Sequence, residues 1–330
     1  MSTILITGGC GFIGSNLVKQ AIKEGLGVTV VDDMSNGHKE FLKNYSPSMY
    51  LMDFTAPQVL QAIEKKQFDV VIHLAALPRV SYSVEHPLET NDTNVTKTLK
   101  LMQSCVGNVK RFVFASSSSV YGDACTPIQS SLYSYIEMSP TSESTPKNPQ
   151  SPYALQKSII EDYLSVYKSL YNLDSVSLRF FNVFGPNQLG DSPYSTAVGA
   201  WLSAIMKGRP MRSDGDGLQS RDMCYIDNVV NACIAAAKHP TPLNAERFNV
   251  ACGDSTTNRE ILEYLCNRFP TASYYNAPAR PGDVKHTLAD VTKIERVLGC
   301  RPVVKFWEGL EKTIDWAQKT PEFLTLSLKV

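Results

Sequence analysis

The feature that most constrains this chain lies at its start. The apolar run Ile4-Leu5-Ile6-Thr7 passes directly into Gly8-Gly9-Cys10-Gly11-Phe12-Ile13-Gly14, and an amphipathic stretch follows to about Glu24. A buried strand, a glycine turn and a helix in that order form one βα unit. Small residues at this spacing let the backbone turn tightly, leave the N–H groups of the helix N-terminus open to an anion, and let helix and strand pack closely. The alternation continues, with short apolar runs at 28–32, 49–52, 70–76, 111–116 and 175–181 separated by helix-length amphipathic segments. Strands that are apolar throughout are buried on both faces, as in a parallel sheet with helices above and below.

The expected fold is therefore α/β, a Rossmann-like doubly wound parallel sheet. After Asn182 the texture changes to Gly- and Pro-punctuated pieces with short helical stretches at 197–207, 227–238 and 258–268, which predicts a smaller C-terminal α/β substrate-binding domain. A chain of 330 residues exceeds what one core usually holds. The division expected is 1–181 for the sheet domain and 182–330 for the second, with returns to the first near 224–250, where Phe248-Asn249-Val250 reads as an edge strand. Segment 123–150, with six serines and four prolines, reads as a long loop, either a lid or a tolerated insertion.

Composition excludes several classes. With 32 Lys+Arg against 32 Asp+Glu, no basic excess points to nucleic acid or an anionic membrane. No apolar stretch approaches the roughly 18 residues a spanning helix requires. No Lys or Arg precedes Lys19, so the N-terminus does not read as a signal peptide. Eight cysteines without a C-x-x-C pair suit free thiols in a reducing cytosol, and a cytoplasmic location is expected. Asn91 and Asn94 match the glycosylation acceptor pattern but read as helix residues. The five histidines form no H-x-x-x-H or Cys/His cluster, so no metal site is expected, and His73 reads as strand-end packing.

Two constellations carry chemistry. The second strand ends at Asp32, eighteen residues after Gly14, near the spacing at which an acid receives ribose hydroxyls in dinucleotide sites. A carboxylate there repels a 2′-phosphate and favours NAD over NADP; the alternative for Asp32 and Asp33 is turn chemistry ahead of Ser35-Asn36-Gly37. Farther on, the strand at 111–116 opens into Ser117-Ser118-Ser119, and Ser151-Pro152-Tyr153-Ala154-Leu155-Gln156-Lys157 starts a helix. Tyr153 and Lys157 stand at i and i+4 on one face. A cation beside a phenol lowers its pKa, which would make Tyr153 a general base assisted by a strand-end serine.

With these motifs in place, the chain resembles the extended short-chain dehydrogenase/reductases, within the nucleotide-sugar epimerase and dehydratase branch, over nearly its whole length. TGGCGFIG, HLAAL (73–77), SSSSVYG, YALQK, RFFNVFGP (179–186), GDG with SRDMCYIDNV (215–229) and RPGDVKHTLADVTK (280–293) occur in the family's order. The resemblance implies that Ser117, Tyr153 and Lys157 are catalytic. It implies that NAD is held by Gly8, Gly11, Phe12, Ile13, Gly14, Asp32, Asn36, Asp53, Phe54, Ala75, Ala76, Leu77, Asn94, Tyr153 and Lys157. A UDP-sugar would be held by Ser118, Ser119, Asn182, Arg221, Arg280, Asp283 and Thr287. Guanidinium groups suit phosphate oxygens and a carboxylate suits ribose hydroxyls.

Related dehydratases carry Asp-Glu, and decarboxylases Glu, where this chain has Ser118 and Ser119, so the resemblance favours 4-epimerisation. It is strongest to 4-epimerases of N-acetylated UDP-hexosamines, in which Thr287 matches a pocket position that admits the N-acetyl group. Such relatives often carry Arg where Tyr82 aligns, the basic residue here being Arg79. UDP-hexuronic acid epimerases share most of the motifs and are the alternative; an NAD-binding regulator without turnover is the alternative from another class. A homodimer, paired through helices at 88–103 and 153–170, is expected from the family.

Overall fold

The computed structural model describes residues 2–124, 127–129, 136–190, 196–278 and 284–320. Arg280 and Asp283 lie outside the described residues. Seven strands, β1 (Thr3–Thr7), β2 (Gly27–Val31), β3 (Ser48–Tyr50), β4 (Val70–His73), β5 (Arg111–Ser117), β6 (Ser175–Phe180) and β7 (Glu246–Val250), form one sheet in the order β7-β6-β5-β4-β1-β2-β3. Every neighbouring pair is parallel, with Ile4 registered against both Val28 and Val70.

Alternation along the strands divides the core between the two faces. Ile4, Ile6, Val70, Ile72, Val113 and Leu178 pack on one face, against Leu17 and Val18 of helix α1 (Phe12–Lys23). Leu5, Val71, Phe112 and Phe114 pack on the other, against Val59 and Ile63 of α2 (Pro57–Glu64), Leu101 and Met102 of α3 (Thr98–Cys105) and Ile160 and Leu164 of α4 (Pro152–Tyr171). The continuous apolar runs in the sequence have this cause: the central strands β4, β5 and β6 are buried on both faces nearly throughout. α4 is fixed at its start by Pro152 at the first helical position and by the Ser151 hydroxyl, which accepts from the Ala154 N–H. Helix α5 (Ile226–Lys238) packs with α1 on the first face, and β7 follows as the edge strand that Phe248-Asn249-Val250 suggested.

The remaining elements are small. Met211–Asp214 pairs in parallel with Tyr274–Ala277, and Ser220–Arg221 pairs antiparallel with Thr256–Thr257. Helices Ala197–Met206, Asn258–Arg268, Thr292–Leu298 and Phe306–Lys319 accompany them. The second of these starts at a capping box, with the Thr257 side chain and Glu260 exchanging hydrogen bonds with each other's backbone N–H.

Two features differ from the sequence reading. Segment 123–150 contains an antiparallel pair, Pro127–Gln129 with Ile136–Met138, where only a loop was expected. The helical stretch before α3 passes through a π turn, Asp92–Lys97. Among the described residues no helix is long and apolar enough to cross a membrane, and no group of His, Cys, Asp and Glu side chains has the arrangement of a metal site.

Candidate active site

A cleft of about 860 Å³ runs across the carboxyl ends of the strands. Part of its wall is the turn after β1, where the strand order reverses between β2 and β4; open α/β sheets bind ligands at such a switch point. Its walls include Gly8, Gly11, Phe12, Ile13, Gly14, Asp32, Asn36, Asp53, Phe54, Ala75, Ala76 and Leu77 at one end, and Ser117, Ser118, Ser119, Tyr153, Lys157 and Asn182 at the other.

The glycine turn is built by close backbone approach. A Cβ on Gly14 would stand 2.0 Å from the Gly8 carbonyl oxygen, and one on Gly8, whose φ is +71°, would stand 2.9 Å from the Ala75 nitrogen. No side chain caps α1 at Gly11 and its first turn carries no acid. The helix end that borders the cleft thus offers N–H groups and a positive dipole to an anion.

Asp32 is 7% exposed. Its oxygens accept from the Cys10 and Met34 N–H groups at 2.9 Å each, which is turn chemistry, while the carboxylate also forms part of the cleft wall. Burial pushes its carboxyl above the usual value and the two N–H bonds oppose this. Asp53 accepts from Thr55 and, at 2.8 Å, from Lys97 Nζ. The Lys97 bond and the two Thr55 bonds outweigh burial and hold its carboxyl below the usual range. Lys97 also lines the cleft and was not flagged in the sequence; the signal that identifies it is its place at the end of the π turn. Asn94, expected to touch the cofactor, is 3% exposed and stands behind the wall: its amide accepts from the Leu77 N–H and donates to the Leu77 carbonyl and to Gln156.

At the other end Tyr153 and Lys157 are 9% and 4% exposed. Lys157 Nζ donates to the Ala115 carbonyl at 2.7 Å and stands 4.7 Å from the Phe114 ring centroid and 5.7 Å from that of Tyr153. Burial pushes the Tyr153 phenol up to about 12, with the Ser117 hydroxyl pulling it down. Burial pushes the Lys157 ammonium down to about 7, opposed by Glu161. The lowered phenol expected from the Tyr/Lys spacing is thus outweighed by desolvation of both partners. Ser119 Oγ donates to Ser117 Oγ at 2.9 Å, which orients that hydroxyl. His73 is packed as expected, between Thr7 and Thr98 hydroxyls at 2.7 and 3.0 Å, and burial pushes its imidazole down to about 3.

Arg221 and Thr287 lie together and are not among the described residues lining the cleft. Arg221 donates to the Ser220 and Lys285 carbonyls, and the Thr287 hydroxyl accepts from the Asp222 N–H at 3.0 Å. Tyr82 donates to Glu89 at 2.7 Å.

Residues 4–251 match the family described as the NAD dependent epimerase/dehydratase family, and the chain belongs to it. It is 34% identical over 323 residues to a UDP-glucose 4-epimerase of Mycolicibacterium smegmatis, covering 94% of this chain and 97% of that one. The structure of a UDP-N-acetylglucosamine 4-epimerase from Methanobrevibacter ruminantium, in complex with UDP-N-acetylmuramic acid, is 35% identical with a TM-score of 0.85 and coverage of 97% and 99%. That of a UDP-glucuronic acid 4-epimerase from Bacillus cereus, in complex with UDP-glucuronic acid and NAD, is 26% identical with a TM-score of 0.84 and coverage of 96% and 99%. The protein is an NAD-dependent epimerase of the short-chain dehydrogenase/reductase superfamily, with NAD as its cofactor. The uncapped glycine turn and the buried carboxylate beside it fit that cofactor.

Proposed function

We propose that this chain catalyses the reversible 4-epimerisation of a UDP-hexosamine, interconverting UDP-GlcNAc and UDP-GalNAc, with UDP-Glc and UDP-Gal as lesser substrates. The observation that carries the reading is the grouping of Ser117, Tyr153 and Lys157 around one end of the cleft, with hydroxyls rather than carboxylates at positions 118 and 119. Elimination across C5 and C6 needs an acid–base pair that those two serines do not supply.

In this reading the helix end at Gly11–Gly14 receives the pyrophosphate of NAD, Asp32 and Asn36 take the adenosine ribose, Asp53 and Phe54 flank the adenine, and Ala75–Leu77 border the nicotinamide. Bound there, NAD supplies the hydride acceptor and donor for C4 of the sugar. Tyr153 takes the proton of the 4-hydroxyl as the C4 hydride leaves, and the Ser117 hydroxyl shares the hydrogen bond to that oxygen. The resulting 4-keto sugar turns over, and Tyr153 returns the proton as hydride adds to the opposite face. Lys157 supplies the positive charge that makes the phenolate accessible. Asn182, Arg221, Arg280 and Asp283 hold the UDP, and Asn94 is better read as the strut that fixes Leu77.

A second reading, a UDP-hexuronate 4-epimerase, is favoured by relatives such as a UDP-glucuronate 4-epimerase of Thermodesulfobacterium geofontis, 32% identical over 345 residues. The charges in the cleft favour the neutral sugar. Among its described lining residues the cations are Lys97, paired with Asp53, and Lys157, which is needed beside Tyr153. The division into a cofactor domain (1–181, with returns at 224–250) and a nucleotide-sugar domain (182–330) belongs to the same proposal. So does the homodimer: Leu88 and Leu170 are 86% and 67% exposed, and Leu155, Tyr163 and Val166 are exposed on α4. The test of the sugar is Thr287→Tyr. It should lower kcat/KM for UDP-GlcNAc about tenfold or more while sparing UDP-Glc, as expected for loss of a well-matched pocket contact; unchanged discrimination would remove Thr287 from the argument.

A further inference from the structure

One turn beyond Lys157 on α4, the Glu161 side chain has no solvent exposure. Its Oε1 accepts from the Ser116 hydroxyl at 2.6 Å and from Arg179 Nε at 2.8 Å, and its Oε2 accepts from a second Arg179 nitrogen at 2.6 Å. Arg247 Nε, itself buried although its side chain is 31% exposed, lies 3.2 Å from Oε2; the Arg179 side chain is 2% exposed. The cluster behind the cleft wall thus contains two buried cations, Lys157 and Arg179, and one buried carboxylate, Glu161, one helical turn from Lys157 on α4 and hydrogen-bonded to Arg179.

We propose that Glu161 is a positioning residue that keeps Lys157 protonated, and that the Lys157–Glu161–Arg179 cluster sets the upper pH limit of turnover. An isolated buried charge is costly, and a second one of the same sign beside it more so. An arginine does not give up its proton in proteins, whereas a buried lysine readily does. If the negative charge at 161 is removed, Lys157 is the group that yields. The other groups facing Lys157 offer no substitute: Tyr153 on its own helix, the Phe114 ring and Ala115 carbonyl of β5, and the His73 imidazole of β4, which burial keeps neutral. Burial already works against the ammonium, and Glu161 is what opposes it. The same carboxylate ties α4, which carries Tyr153 and Lys157, to Ser116 beside Ser117, so charge and alignment are delivered through one side chain.

The proposal rests on the acid–base reading of Tyr153 and Lys157. Its test is the pH profile of kcat for the holoenzyme and three variants, Glu161→Gln, Arg179→Met and the two combined, together with a ¹⁵N NMR titration of the Lys157 ammonium that needs no substrate. Glu161→Gln should move the alkaline limb, and the Lys157 titration, down by about one pH unit, with kcat at the wild-type optimum falling about tenfold and KM for the UDP-sugar nearly unchanged. Arg179→Met should move both upward. The double variant, which removes both charges and restores balance if either single variant folds poorly, should return them toward wild type. A Lys157 titration, and an alkaline limb of whatever activity remains, that stay at their wild-type pH in Glu161→Gln would overturn the proposal and leave Glu161 a structural residue. A Lys157 titration that shifts as stated in a parent enzyme inactive on every UDP-sugar would uphold the pairing and overturn the assigned reaction instead.

Discussion

Burial holds the Tyr153 phenol at about 12 and the Lys157 ammonium at about 7, so neither residue reaches its working state through the other alone. In the proposed reaction the phenol would become a base near neutrality through its hydrogen bond to Ser117, the ammonium of Lys157 and the positive charge of bound oxidised NAD. Removing the phenolic oxygen removes the proposed acceptor of the 4-hydroxyl proton. Tyr153→Phe should therefore lower kcat by about 10² to 10⁴, while the dissociation constant for NAD, measured by fluorescence quenching, stays within a few-fold of wild type. A variant retaining a tenth or more of the rate would remove Tyr153 from proton transfer. At this scale the sequence disclosed which side chains meet, because an i, i+4 pair on a helix is a matter of geometry. It did not disclose their ionisation, which depends on burial by β5 and on Glu161 four residues further along.

Elements were legible where one physical cause dominates. Strands buried on both faces give unbroken apolar runs, and β1, β4, β5 and β6 begin within a residue of the expected positions. The helix Asn258–Arg268 matches the expected range because its capping box fixes its start. The run at 70–76 was read as strand beyond its actual end at His73, since Leu74–Leu77 stay apolar while lining the cleft. The π turn at Asp92–Lys97 leaves no mark in an apolar period, so neither the place of Lys97 on the cleft wall nor the hydrogen bond of Asn94 to Leu77 is legible in the sequence. The glycine turn shows the opposite case, a motif whose reason is visible only in three dimensions. Gly14→Ala would force a Cβ to within 2.0 Å of the Gly8 oxygen. Backbone cannot yield as a flexible side chain can, so the substitution should cost about 1–3 kcal/mol of stability, seen as a lower Tm, and weaken NAD binding in calorimetry by tenfold or more. Unaltered NAD affinity would show that the turn relaxes freely.

For the molecule as a whole, His73 couples the core to pH. Its folded pKa of about 3 lies below the ordinary 6.5, so the unfolded chain takes up a proton that the folded chain refuses. The stability it contributes is complete above about pH 6.5 and is lost as pH falls toward 3, at about 1.4 kcal/mol per pH unit. Denaturant titrations between pH 7 and 4.5 should show this slope in the wild type and a flatter one in His73→Gln; equal slopes would place the acid sensitivity elsewhere. The apolar stripe on α4 and at Leu88 makes a second prediction. On the proposed homodimer, Leu170→Glu with Leu88→Glu should convert a dimer to a monomer by light scattering with little change in far-UV circular dichroism, whereas an unchanged mass would contradict that interface. Net charge and composition told nothing of this stripe, because an exposed apolar face and a core face have the same periodicity.

The proposed reaction is a complete oxidation and reduction at C4 of a UDP-hexosamine that does not consume the cofactor. The measurement that tests it most directly is a proton NMR time course of the anomeric signals of UDP-GlcNAc with the purified protein and NAD, with absorbance followed at 340 nm. The UDP-GalNAc signals should grow to a stable mixture, reached equally from either sugar, with no net NADH. Unchanged anomeric signals from UDP-GlcNAc while the protein binds NAD, or stoichiometric accumulation of NADH, would contradict it.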